Sequence, residues 1–225
     1  MEAKKEEFIV TEKWLEKIGT CEAELQAFEQ HFPNGGEALE VLKQCEELGY
    51  RDFGEWLVDH LPPIYPPLEL NTLIDSLFYP NDVHIKGDLS TQGFIHIKGI
   101  LKIDGKLTVN KYGEVYSGKD CVNADEIDLS GDAYIHAQIK ANRIDMRGEA
   151  IISGDTKAKV VNLDGGRIYG NVDADELYND GGYISQNAKA DKATLINGGN
   201  IGGNITFKCL YTDSNFYAQI FRASY

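Results

Sequence analysis

The chain lacks the usual marks of secretion, of metal clusters and of nucleotide chemistry. Its first residues, Met1 to Glu7, are charged rather than opening an apolar stretch, and no run approaches membrane-spanning length. The sequence therefore predicts a cytoplasmic protein with no membrane partner. Cysteines number four, Cys21, Cys45, Cys121 and Cys209, and none is paired at metal-ligand spacing. Reduced thiols and no metal site are expected, with Cys21 and Cys45 buried on apolar stripes. No phosphate-binding loop, dinucleotide fingerprint, Ser-His-Asp constellation or Gly-Gly-x-Gly-x-Asp calcium repeat is present. No catalytic residue and no cofactor are predicted. Basic residues are scarce: 22 Lys and Arg stand against 36 Asp and Glu, a formal charge of −14. Such a surface repels phosphates, which argues against direct nucleic-acid binding.

What is present is a repeat. An apolar-x-small column runs through Ile97, Tyr116, Ile135, Ile152, Ile168, Ile184, Ile201 and Tyr217, with a period tightening from 19 to 16 or 17 residues. A second column follows it: Ala124, Ala141, Ala158, Ala174, Ala190 and then Phe207. A fixed period this short marks a solenoid, in which each turn buries its apolar face only on its neighbours. Within each turn apolar residues recur at two, as in Ala141-Asn142-Arg143-Ile144-Asp145-Met146, with Gly at the breaks. No helix fits inside such a turn. The rungs predict a parallel β-helix of about seven to eight turns, with Ala at one tight corner and Gly at the other. The pairs Gly165-Gly166, Gly181-Gly182 and Gly198-Gly199 read as repeated corners. The contracted, uneven spacing disfavours a hexapeptide solenoid and the acyltransferase activity that often accompanies it.

The stretch Val83-His84-Ile85-Lys86-Gly87-Asp88-Leu89, echoed by Ile95-His96-Ile97-Lys98-Gly99, resembles the bactofilins. These are polymer-forming cytoskeletal proteins, and the likeness covers residues 83 to about 210. It implies a short right-handed β-helix and, as one function, a scaffold that polymerises through its solenoid ends.

The first 80 residues differ in kind. They hold 17 acidic and 6 basic side chains, against 19 and 16 in residues 81–225. The expected fold class is thus α+β: an acidic helical domain, 1–80, capping a β-helix, 81–225. Thr11 is a predicted N-cap for one apolar stripe through Trp14, Ile18, Cys21, Leu25 and Phe28. Ala38 to Leu48 forms a second helix closed by Gly49, and Asp52 is expected to cap a third through Leu61. A last short helix is expected over Leu68 to Phe78. The segment from Trp14 to Leu61 also resembles helical modules of phage and bacterial accessory proteins.

Four sets of side chains are candidates for function. His84, His96 and His136 are expected on the outer face with no acidic partner column, as solvated imidazoles. Asp128 and Asp145 are expected to stack on adjacent rungs, in a column too mixed for a glycosidase pair. Flanking the inward Ile column, His96, Tyr134, His136, Arg167, Tyr169, Tyr183 and Phe216 would form an outward aromatic stripe suited to binding a partner. On the helices, Glu12, Glu16, Glu22, Glu24, Glu29, Glu40 and Glu47 supply a carboxylate surface for a basic protein. At the other end Phe207, Tyr211, Phe216, Tyr217, Phe221 and Tyr225 mark an uncapped rung and predict a homodimer. Together these predict a non-enzymatic inhibitor of a basic protein, of the kind found among phage anti-defence proteins (anti-CRISPRs among them) and toxin-immunity proteins. In a phage that would place it in the bacterial host's cytoplasm. The alternatives are the polymerising scaffold and a carbohydrate- or acyl-active β-helix enzyme.

Overall fold

The Thr11 hydroxyl accepts the Trp14 N–H at 3.3 Å and starts helix α1, Glu12–Ile18. Gly19 ends it after two turns, in the left-handed region at φ 89°. The predicted single stripe is therefore two helices. Cys21 occupies the N-cap of α2, Glu22–His31, where Glu24 accepts its N–H, and this leaves Cys21 exposed rather than buried. Helix α3, Ala38–Leu48, is capped by Glu37, whose carboxylate accepts from Leu39 and Glu40, and is closed by Gly49 at φ 73°. Helix α4, Arg51–His60, starts one residue before the expected cap. Its N-cap position is Tyr50, and Asp52 lies in the first turn, favoured there by the helix dipole. Trp14 and Trp56 are half-buried against the core.

The computed structural model describes residues 7–73, 76–213 and 217–223, with the backbone alone at 120 and 217–223. After the helices the chain forms one parallel solenoid sheet of about eight turns. It begins earlier than charge alone indicates. Leu68–Leu70 pairs with Val83–Ile85, and Leu77–Tyr79 pairs with Phe94–Ile97. The helix expected over Leu68 to Phe78 is thus absent, because these two short segments find strand partners in the next turn. Residues 74–75 lie outside the described residues.

Register corrects three members of the apolar column, Ile97, Tyr116 and Tyr217; Ile97 is fully buried but aligns with Ser117 rather than with Ile135. The inward residues are Ile95, Val115, Ile135, Ile152, Ile168, Ile184 and Ile201, all essentially unexposed. Tyr116 pairs with His96 and His136, one position off the inward column, and Tyr217 pairs with Asn200, leaving Ala218 opposite Ile201. With a period of two, a slip of one residue exchanges core for solvent, and an amphipathic Tyr disguises the slip. Each fully buried Ile contributes roughly 1.5–3 kcal/mol relative to exposure. The Ala column holds as read: Ala141, Ala158, Ala174, Ala190 and Phe207 are in register.

The glycines serve two different needs. Gly165 follows Gly148 in a column at φ 81° and 74°, a conformation that disfavours side chains. Gly154 instead is needed for space, since a Cβ there would sit 2.2 Å from the carbonyl oxygen of Ala137 in the preceding rung. A polar ladder runs along a corner of the later rungs. Asn171 Nδ2 donates to Asp155 Oδ1 and to Gln186 Oε1, both at 3.0 Å, and Asn187 Nδ2 donates to Asn171 Oδ1 at 3.0 Å. Asn187 Oδ1 then accepts the Asn204 N–H. Each side chain satisfies the turn of the next rung where no strand bond is available.

Candidate functional site

Helix α4 buries Phe53, Gly54, Leu57 and Val58 and turns Arg51, Glu55 and Asp59, four residues apart, along another side of the helix. That side meets the outward columns of the first rungs. The head therefore closes the end of the solenoid and also overlaps the start of the aromatic stripe. Between them is a cleft of about 260 Å³ lined by α4, Phe94, His96, Glu114, Tyr116 and His136.

The charges in this cleft interlock. The Arg51 guanidinium donates to Glu55 Oε1 at 2.6 Å and to Glu114 Oε2, and lies 3.7 Å over the Phe94 ring. Partial burial, which would lower its pKa, is outweighed by the two carboxylates, and the guanidinium is held above its ordinary value. His96 Nε2 lies 3.1 Å from Asp59 Oδ1 with its ring buried beneath α4. Lys98 donates to the backbone oxygens of Asp59 and Leu61, tying the end of α4 to the same strand. His136 Nε2 stands 3.9 Å from Glu114 Oε1, beyond hydrogen-bond reach. Burial pushes the His136 pKa down despite the attraction of Glu114 and Glu55. The rings form a run: His96 stacks on Tyr116 at 4.3 Å, and Tyr134 meets His136 edge-on at 3.9 Å.

The histidines thus differ from expectation. His84 pairs with Asp104 at 2.8 Å, His96 with Asp59, and His136 faces Glu114. The acidic partners were hidden from the sequence because two of the three come from neighbouring rungs and one from a helix. Asp128 and Asp145 do stack, yet each is occupied: Asp128 by Lys106 and Arg147, Asp145 by Arg143 and Asn162.

The predicted stripe divides in two. Tyr134 and His136 belong to the cleft region, whereas Arg167, Tyr169 and Tyr183 lie on later rungs, beyond Ile151 and Ser153. There Tyr169 meets Tyr183 edge-on at 6.4 Å and Arg167 pairs with Glu149 at 2.8 Å. Phe216 and Tyr225 lie outside the described residues. Tyr217 and Phe221 belong to the last strand, Tyr217–Ala223, which pairs on one side with Asn200–Thr212. Among the described residues nothing pairs with its other side. Tyr211 is 64 % exposed, and Phe207 is half-buried against the core.

Of the head carboxylates, Glu12, Glu16, Glu22, Glu29, Glu40 and Glu47 are exposed and Glu24 is half-buried in its capping role. Glu47 pairs with Lys43. No ion pair among the described residues involves α1 or α2. Instead Glu12 and Glu29 meet each other, and a hydrogen bond with Glu29 together with its charge raises the Glu12 pKa. In the solenoid, by contrast, carboxylates pair across rungs, as Glu176 does with Lys192 and Asp191 with Lys208.

Arg51 and Asp59 are absent from the sequence-derived candidates, and Glu55 counts there only as one more helical carboxylate. Their spacing shows a shared side of a helix, but not that a strand face lies opposite. Among the described residues no set of three or more His, Cys, Asp or Glu is placed to hold a metal ion. Among the described residues no helix is long and apolar enough to cross a membrane. Neither a protein-family model, nor a curated protein, nor a solved structure matches the chain.

Proposed function

We propose that the chain is a non-enzymatic docking protein whose acidic helical head binds a protein with a basic surface. The observation that carries this reading is the exposure of Glu12, Glu16, Glu22 and Glu29 on two helices that have no ion pair of their own among the described residues. Carboxylates without an internal partner gain from an external cation, and a surface with an excess of one sign accelerates encounter with an oppositely charged partner about 10–10³-fold. The β-helix supports the head, and the side of the Tyr217–Ala223 strand that has no partner among the described residues supports pairing with a second copy. Inhibition of a nucleic-acid-binding protein by an acidic decoy, as in anti-defence or immunity proteins, is the activity this chemistry fits.

The test is affinity capture from the native host with three baits: the unaltered chain, E12Q/E16Q/E29Q, and E126Q/D132N/D175N. The last removes three exposed solenoid carboxylates that have no ion pair among the described residues. Basic proteins retained by the unaltered and solenoid baits and lost from the head variant support the reading. Equal loss from both variants reduces the effect to net charge and overturns it.

A further inference from the structure

The cleft between α4 and the solenoid has a charge and a shape that α1 and α2 lack. Three carboxylates, Glu55, Asp59 and Glu114, line it; Glu55 and Glu114 share the Arg51 guanidinium and Asp59 lies against His96. Glu114 Oε1 makes no hydrogen bond to His136, and Asp59 is 47 % exposed at its side chain. The walls are aromatic: Tyr116 lies between the rings of His96 and His136. At about 260 Å³ the space is smaller than the roughly 300–1,000 Å³ typical of small-molecule pockets and is of the size of one long side chain.

We propose that this cleft receives a single arginine or lysine side chain of the basic partner, an inference that rests on the reading of the protein as an acidic docking module. Carboxylates beside aromatic faces are the combination that holds a guanidinium or ammonium group. Arg51 shows the preference within the molecule, with its guanidinium lying over Phe94 between Glu55 and Glu114. An incoming cation meets the free side of Glu114, with Tyr116 and His136 as its wall and Asp59 at the rim. The head carboxylates would then steer the partner, and the cleft would fix its register by capturing one residue.

The experiment is an NMR titration of the full chain with N-acetylarginine amide, with N-acetylcitrulline amide and glucose as neutral comparators. Saturable shifts of the His136 and Tyr116 ring signals are expected with the arginine probe alone. E114Q, which keeps an acceptor for Arg51, is expected to weaken that binding at least fivefold, and Y116L, at an outward position, to do the same. E12Q/E16Q/E29Q is expected to leave it unchanged. Equal response to citrulline or glucose, no saturable shift in the cleft, or undiminished binding in E114Q and Y116L overturns the proposal. If arginine binds the cleft as described while the head variant still captures the same partners, the reading of the head fails and the cleft stands.

Discussion

Glu46 Oε1 accepts the backbone N–H of Phe78 at 2.6 Å. Phe78 lies on the strand Leu77–Tyr79, which pairs with Phe94–Ile97 on its other side, so the carboxylate of α3 occupies a position that another strand would otherwise fill. An open edge invites association, and this bond occupies the part of it that Phe78 presents. Replacing Glu46 by Ala leaves a donor unsatisfied and is expected to cost about 1–3 kcal/mol in urea unfolding. Burial raises the Glu46 pKa despite the bond from Phe78, so the folded state holds this proton more tightly than the unfolded chain. The contribution is full below the unfolded carboxyl value, about 4.3, and is lost as pH rises through the folded value. E46Q, which keeps the acceptor and removes the charge, is therefore expected to gain on the unaltered chain as pH rises above about 4. A stability difference independent of pH contradicts this.

Gly54 lies within α4, where Ala would ordinarily add about 1 kcal/mol of helix stability. A Cβ at Gly54 would stand 2.6 Å from Cε2 of the buried Phe78 ring. G54A is therefore expected to destabilise by about 1–3 kcal/mol through overpacking, measured by urea unfolding. A stabilised G54A would show that the head and the solenoid are not in this contact.

The ladder through Asp155, Asn171, Asn187 and Asn204 makes a local prediction. N171A removes bonds to Asp155, Gln186 and Asn187 at once and is expected to cost about 1–2 kcal/mol. Hydrogen exchange is expected to speed up at the Asn171 and Asn187 amides and their neighbouring rungs, with α1–α4 unchanged. Uniform acceleration along the chain would place the role of Asn171 elsewhere.

Much of this fold was legible because a solenoid repeats its own constraint. The inward Ile residues recur with the rung and the Ala column keeps register, so two independent periods agreed. The ladder was equally periodic, but Asn at a break is ordinary turn chemistry, and only the neighbouring rung shows what it bonds. Tyr116 was misplaced because its ring is apolar enough for an inward position and one residue of slip is silent in a period of two. Of the cleft only the outward rings on the solenoid side, His96 and His136, were legible. Arg51 and Glu114 are 63 residues apart, and nothing local to either announces the other.

Asp145 links rungs by accepting from Arg143 at 2.7 and 2.9 Å and from Asn162 at 2.7 Å. Burial would raise its pKa, but these donors outweigh it and hold the carboxyl below its usual range. Its stabilisation is present above the unfolded carboxyl pKa and is lost as pH falls through the folded value. The unaltered chain is expected to lose on the order of 1 kcal/mol more than D145N on acidification, allowing for partial exposure. Parallel acid transitions of the two chains would contradict the assignment.

The most direct measurement is mass in solution by light scattering across a range of concentrations, on the unaltered chain and on E46A. With the helices packed on the first turn, Glu46 on the Phe78 N–H and no strand on the outer side of Tyr217–Ala223 among the described residues, the unaltered chain is expected as a discrete dimer whose mass does not grow with concentration. E46A is expected to form larger, concentration-dependent species. Long assemblies of the unaltered chain would contradict a capped docking module and favour a polymerising scaffold.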